Sequence, residues 1–332
     1  MNKNRRLSFS LAINEALKQS MEEDPRVILL GQGVKSPWYV GNTAANLLEM
    51  FGDKRIIDTP VSENAVTGAA VGAALAGLKP VVVHPRMDFM LYAIDPIVNE
   101  AANWFYMSGG AISVPVVFWG IINRGGEQGA QHSQALHSLF THIPGLKVVS
   151  PACPSDAKGL MIAAIRENNP VVFIDDRWLY SIEEHVPPEI YSTPIGKAKI
   201  VKPGSDVTIA CFSYLVPEAM KAAGELEKKD ISSEVLDLRT LKPIDENALL
   251  ESCGKTKRLV VCDIGWKTGG LGAEVIARVA ESGKKLLYPP RRVSLPDCPA
   301  PAARSLESAY YPRADSIIRA VQAVFKNNSI LD

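Results

Sequence analysis

Two side chains put chemistry forward in this 332-residue sequence, Glu63 and His132. Glu63 stands in Ser62-Glu63-Asn64-Ala65-Val66-Thr67-Gly68-Ala69-Ala70-Val71-Gly72, a carboxylate in the first turn of a helix that is otherwise almost entirely small and apolar. A carboxylate buried in such surroundings needs a partner, because an unpaired polar group costs kilocalories of stability. Its helical neighbours supply none. In one reading Glu63 hydrogen-bonds the ring of a bound cofactor. In the other, Ser62 is an N-cap and Glu63 complements the positive end of the helix dipole. His132 lies in Gly129-Ala130-Gln131-His132-Ser133-Gln134, in the glycine-rich stretch from Gly120 to Gln134. An imidazole there serves as acid, base or phosphate donor near neutral pH, or it is an ordinary surface histidine. His137 and His142 follow closely, but the three lack a metal-binding spacing. A triad built on Ser133 has no acidic partner at a recognisable position.

An α/β framework is expected to position these groups. Short β-branched runs at Val27–Gly31, Pro80–His84, Val114–Gly120, Leu146–Ser150 and Val171–Asp175 alternate with helix candidates at Ser8–Met21, Asn42–Phe51, Glu63–Leu78, Pro96–Met107 and Asp156–Asn168. That alternation predicts parallel strands joined by crossover helices, in a sheet covered on both faces. From Ser181 to Pro203 the rhythm breaks at Val186-Pro187-Pro188, Pro194 and Pro203-Gly204, as in a connecting segment. It resumes with strands at Val207–Phe212, Ser233–Leu238, Leu259–Asp263 and Arg292–Leu295, and helices at Val216–Lys228, Glu246–Ser252, Leu271–Ser282 and Ala314–Phe325. The expected organisation is a first domain over 7–185, a linker over 186–204 and a second domain over 205–332. In open parallel sheets ligands gather beyond the carboxyl ends of the strands, which makes the Gly120–Gln134 stretch a natural site. Gly68 and Gly72, with Ala65, Ala69, Ala73 and Ala76 beside them, let another backbone approach closely, either across an interface or on the helix's own sheet.

Composition excludes several classes. Lys plus Arg number 36 and Asp plus Glu number 36, so no basic surplus points to nucleic acid or an anionic membrane. No apolar run is long enough to span a bilayer. Asn14, Glu15 and Lys18 interrupt the N-terminal apolar stretch, which suits an amphipathic helix better than a signal peptide. Cys153, Cys211, Cys253, Cys262 and Cys298 show neither a disulfide framework nor a zinc spacing, so a reducing, cytoplasmic location is expected. Gly269-Gly270-Leu271-Gly272 lacks the third glycine of a dinucleotide fingerprint, since Val275 stands there, and is expected to be a tight strand-to-helix turn.

More specific runs accompany Glu63. They are Gly52-Asp53-Lys54-Arg55-Ile56-Ile57-Asp58-Thr59-Pro60-Val61-Ser62-Glu63, Tyr106-Met107-Ser108-Gly109-Gly110, Gln131-His132-Ser133-Gln134 and Pro144-Gly145-Leu146-Lys147-Val148-Val149-Ser150-Pro151. Asp237-Leu238-Arg239-Thr240-Leu241-Lys242-Pro243 and Gly265-Trp266-Lys267-Thr268-Gly269-Gly270 continue the series. Over residues 8 to 326, in unbroken order, the chain resembles the beta subunit of the thiamine diphosphate-dependent first component of 2-oxo acid dehydrogenase complexes. The resemblance implies two α/β domains with mainly parallel sheets, a pyrimidine-binding fold followed by a transketolase C-terminal-like domain.

It also implies roles. Glu63 would hydrogen-bond the ring nitrogen of the cofactor's aminopyrimidine and shift it toward its imino tautomer, while the cofactor performs the decarboxylation. Phe89 would stack on the pyrimidine, and His132 would assist acyl transfer to a lipoyl sulfur as a general acid. The family's diphosphate and metal site rests on a Gly-Asp-Gly that does not occur here. The resemblance therefore implies an alpha subunit carrying that site with Mg, an assembly of two alpha and two beta chains, a lipoyl acyltransferase partner and a 2-oxo acid substrate. By the same analogy a potassium ion would bind backbone carbonyls near Pro151–Asp156. The chain departs from the family at Gln32-Gly33, where two acidic residues are usual, and Gln32 cannot carry a proton as a carboxylic acid does. His84-Pro85-Arg86 and Tyr92 also depart, near the expected substrate pocket, and Arg86 is expected to face an anionic substrate or partner. Two alternatives stand beside this reading: half of a split transketolase-like enzyme acting without lipoyl, and a non-catalytic assembly subunit.

Overall fold

The computed structural model describes residues 5–36 and 40–325, which divide into one unit ending at Ile195 and another beginning at Gly196. In the first unit the buried β-branched runs become the strands Val27–Gly31, Lys79–His84, Val117–Ile122 and Val171–Asp176. Ile56–Asp58 flanks them on one side and Lys147–Val149 on the other. Every pairing among these six is parallel, in the order Lys147–Val149, Val171–Asp176, Val117–Ile122, Lys79–His84, Val27–Gly31, Ile56–Asp58. Strands buried on both faces need no polar alternation, which is why Val81-Val82-Val83 and Val171-Val172-Phe173 read as continuous apolar runs.

Helices cover this sheet. Phe9–Glu23 begins at Ser8, whose Oγ accepts the Leu11 amide at 3.3 Å, and packs on Pro154–Arg166. Between them Lys158 is fully buried, and its Nζ donates to Glu15 Oε1 at 2.6 Å and to the carbonyls of Pro187 and Glu189 at 2.7 and 2.9 Å. The helix Glu63–Leu75 lies on the strand Lys79–His84 and on the 3₁₀ segment Met87–Ala93.

Some expectations change. The helix expected over Asn42–Phe51 forms only at Leu47–Phe51, because Asn42 and Asn46 take left-handed φ of 65° and 63°. The one expected over Pro96–Met107 is a π-helical turn at Pro96–Ala101 running into an α-helix at Ala102–Met107. The strand expected at Val114–Gly120 runs from Val117 to Ile122. The expected linker over 186–204 includes the strand Lys199–Lys202, and the stretch just before the linker is not bare coil either. Glu183–His185 pairs antiparallel with Arg6–Ser8, so its backbone groups find partners within the first unit.

In the second unit the strand order is Arg291–Leu295, Leu259–Trp266, Val207–Cys211, Ser233–Asp237, Lys199–Lys202. The first four run parallel, and Lys199–Lys202 is an antiparallel edge. The Gly269–Gly272 turn is held by Asp263, whose two carboxylate oxygens accept the amides of Gly265 and Gly272, each at 2.9 Å. A Cβ at Gly270 would lie 2.4 Å from the Trp266 carbonyl oxygen, so close backbone approach accounts for that glycine. No described helix is long and apolar enough to cross a membrane.

Candidate functional site

The site lies beyond the carboxyl ends of two paired strands of the first unit, Val27–Gly31 and Lys79–His84. Gly31 makes their close approach possible, since a Cβ there would sit 2.4 Å from the Val83 carbonyl oxygen. A cleft opens at this edge, lined among others by Gln32, Thr59, Ser62, Glu63, His84 and Pro85. Glu63 is in the first turn of its helix and pairs with no described residue; Ser62 makes no side-chain capping bond. The expectation of a buried Glu63 is corrected here, because within this chain the residue is only half-buried. The helix turns Thr67, Ala70, Val71 and Ala74 inward and leaves Asn64, Ala65, Gly68, Ala69, Gly72 and Ala76 exposed. A Cβ at Gly68 or Gly72 would meet nothing within 4 Å, so these glycines do not serve packing on the helix's own sheet.

One turn along the same helix, Thr67 Oγ1 lies 3.3 Å from His84 Nε2. His84 is buried, and burial pushes its pKa down to about 4, so the imidazole is neutral at physiological pH. The sequence marked His84 only as a departure from a pattern. A polar residue closing the run Val81-Val82-Val83 is the signal that it ends a buried strand at the cleft.

Beyond His84 the chain passes Pro85 and Arg86 into Met87–Ala93. Arg86 is half-buried, and its Nη1 donates to the Pro85 carbonyl at 3.0 Å, so the guanidinium folds back over its own backbone. Phe89 is half-buried and meets the His132 ring edge-to-face, with centroids 5.4 Å apart and planes at 82°. Tyr92, 70% exposed, lies 6.5 Å from Phe89. The fold thus brings Phe89, Tyr92 and His132 together from segments some forty residues apart.

The histidine loop is rooted on both sides. Asn123 Nδ2 donates to the Pro85 carbonyl at 2.7 Å, and the buried pair Arg124–Asp176 closes at 3.3 Å. At the other end Asp88, buried beside Phe89, accepts the amide of Gln134 at 3.1 Å and its Nε2 at 2.9 Å through Oδ1. Burial raises the Asp88 pKa, and the Gln134 hydrogen bonds and His132 oppose that shift. Asp88 escaped the sequence reading. A carboxylate inside Met87-Asp88-Phe89-Met90-Leu91 was its one trace.

Pro151 and Asp156 lie in a separate neighbourhood, where the strand Lys147–Val149 feeds the helix Pro154–Arg166. Asp156 is buried and accepts from Cys153 Sγ at 3.3 Å and Thr193 Oγ1 at 3.5 Å.

Comparison with known proteins agrees with this architecture. Residues 5–182 match the transketolase pyrimidine-binding domain and residues 196–317 the transketolase C-terminal domain. A split-gene transketolase, solved as an inactive beta4 tetramer, shares the fold with a TM-score of 0.77, at 23% identity over 96% of this chain and 98% of that one. Fold and cleft together define a transketolase-type α/β protein with a pyrimidine-binding first domain. The chain is 43% identical over 321 residues to pyruvate dehydrogenase E1 component subunit beta of Rickettsia conorii, covering 95% of this chain and 98% of the relative. It is 42% identical to the corresponding mitochondrial subunit of Bos taurus (94% and 88% covered). It is also 42% identical to the beta subunit of acetoin:2,6-dichlorophenolindophenol oxidoreductase of Cupriavidus necator (97% and 98% covered). The chain belongs to the family of these E1-type beta subunits.

Proposed function

We propose that this chain is the beta subunit of a thiamine diphosphate-dependent 2-oxo acid dehydrogenase and works only with an alpha subunit. The observation that carries the reading is the Glu63 carboxylate, without a partner among the described residues, at the rim of a cleft and on a helix whose small-residue face is bare. A lone carboxylate acceptor beside an uncharged imidazole fits the aminopyrimidine half of thiamine diphosphate. When bound, that cofactor supplies the electron sink for the pair left behind as carbon dioxide departs from the 2-oxo acid. Glu63 would hold the pyrimidine ring nitrogen, and Phe89 would supply an aromatic surface for the ring.

His132, in contact with Phe89, donates a proton to the departing sulfur of a lipoyl disulfide while the other sulfur takes the acyl group. Arg86 and Tyr92 border the pocket for the substrate, and Arg86 favours an anionic one. The alpha subunit brings the diphosphate site and Mg, because this sequence has no Gly-Asp-Gly. Two alpha and two beta chains assemble, with the exposed Gly68–Gly72 face at an interface, and a lipoyl acyltransferase receives the acyl group. Backbone carbonyls near Pro151 and Asp156 take a potassium ion, and the enzyme is cytoplasmic. The beta-subunit identity of the relatives favours this reading over a split transketolase half or an assembly-only subunit.

The test is Glu63→Gln, co-purified with the alpha subunit and assayed by artificial-acceptor reduction on a panel of 2-oxo acids with acetoin included. The assembly should stay intact while turnover is lost. Retained turnover would overturn the assignment of Glu63.

A further inference from the structure

None of these roles uses Asp88, yet it is a buried carboxylate that ties two segments of the site together. It is 4% exposed, so the hydrogen bonds it makes inside the protein stand in for those it would make to water. Oδ1 accepts both donors of Gln134, the backbone N–H at 3.1 Å and the side-chain Nε2 at 2.9 Å, across 46 positions of sequence. Oδ2 is buried and has no hydrogen-bond partner among the described residues.

The segment held in this way has little order of its own. Between Ile122 and His137 there is no helix or strand, and Gly125, Gly126, Glu127 and Gly129 all take positive φ. Such a run has many backbone conformations to lose, so contacts at its ends decide where its side chains stand. Asn123 ties the start to Pro85, and Asp88 ties the end two residues after His132. Because Asp88 and Phe89 are adjacent, the tie that fixes Gln134 also fixes His132 against Phe89. His132 is also near enough to oppose, through charge, the rise that burial imposes on the Asp88 pKa.

We propose that Asp88 is the positioning residue for His132, pinning the histidine loop onto the Phe89 segment through its two hydrogen bonds from Gln134. The inference rests on the reading of His132 as the proton donor to lipoyl.

The test uses the assembled alpha–beta enzyme with Asp88→Ala, Asp88→Asn and His132→Ala. Three readouts are acyl transfer to a lipoyl domain, decarboxylation with an artificial acceptor, and hydrogen exchange across residues 123–134. Asp88→Ala should lower acyl transfer by about 10-fold or more, the scale of loss for a slightly displaced catalytic group, with decarboxylation changed far less. It should also speed exchange at the Gln134 amide. Asp88→Asn keeps an acceptor oxygen and should recover most of both.

The proposal is overturned if Asp88→Ala transfers acyl groups normally while His132→Ala does not, if both activities fall together, or if Asp88→Asn is as damaged as Asp88→Ala. Should His132→Ala itself transfer normally, the His132 reading fails instead. Exchange at Gln134 then decides the pinning alone: faster in Asp88→Ala supports it, unchanged overturns it.

Discussion

His84 gives the cleft a pH dependence whose size follows from burial. The imidazole is 3% exposed, and burial lowers its pKa to about 4 from the ordinary 6.5. A group that binds its proton less tightly when folded leaves the unfolded chain with more protons, so stability falls as pH falls. The contribution is fully present above pH 6.5 and is lost progressively on the way down to about pH 4. Each pH unit in that window is worth about 1.36 kcal/mol, so the 1.5 units between pH 6.5 and 5 amount to about 2 kcal/mol. The perturbation is His84→Gln, which is uncharged at both pH values and retains a hydrogen-bonding group for Thr67 Oγ1, now 3.3 Å from the imidazole. Urea unfolding of the parent and variant at pH 7.5 and pH 5.0 supplies the comparison, with all other titrations common to both. The parent should lose about 2 kcal/mol more than the variant between the two pH values. Equal losses would refute the argument that His84 is buried neutral. That neutrality matters at the site. An uncharged imidazole does not compete as an ion-pair partner for Glu63, as the role proposed for that carboxylate requires.

Two stability predictions follow from packing in the first unit. Lys158→Met removes the donor shared by Glu15 Oε1 and the carbonyls of Pro187 and Glu189 and should cost about 3–5 kcal/mol in urea unfolding, the usual penalty for breaking a buried pair. A loss below about 1 kcal/mol would show the contact to be dispensable. Gly145→Ala places a Cβ 2.0 Å from the Ala102 carbonyl oxygen at φ +83°, whereas Gly109→Ala, at φ +63°, meets nothing within 4 Å. The second change should cost only the left-handed backbone penalty of about 1–2 kcal/mol, so Gly145→Ala should lower Tm clearly further. Equal Tm shifts would contradict that steric argument.

What the sequence made legible followed from range. The central strands are local β-branched runs, and Val81-Val82-Val83 or Val171-Val172-Phe173 announce themselves without reference to anything distant. Left-handed Asn42 and Asn46 shorten a helix through backbone choices that an apolar pattern does not encode. The strand Glu183–His185 was hidden in a proline-rich stretch because its partner is Arg6–Ser8, at the far end of the unit. Edge strands of this kind are defined by pairing more than by composition. Among the candidate residues, Glu63 and His132 were conspicuous in the sequence because each sits in a distinctive local run, and Phe89 only through the family resemblance. Asp88 and His84 were not, since their partners Gln134 and Thr67 are brought to them only by the fold.

Glu63 shows the opposite failure, and it is the more informative one. The small apolar run around it implied burial, and burial implied a partner within reach. The structure leaves both the carboxylate and the Gly68–Gly72 face open. Glycines on an exposed helical face lower helix stability by about 1 kcal/mol each relative to alanine and bring no packing of their own in this chain. A lone carboxylate at the head of that face adds nothing to the core either. Both features gain from a second surface laid against the helix, which uses the absent Cβ atoms for close approach and closes the cleft over Glu63. The pattern that suggested burial therefore fits the assembled enzyme better than the isolated chain.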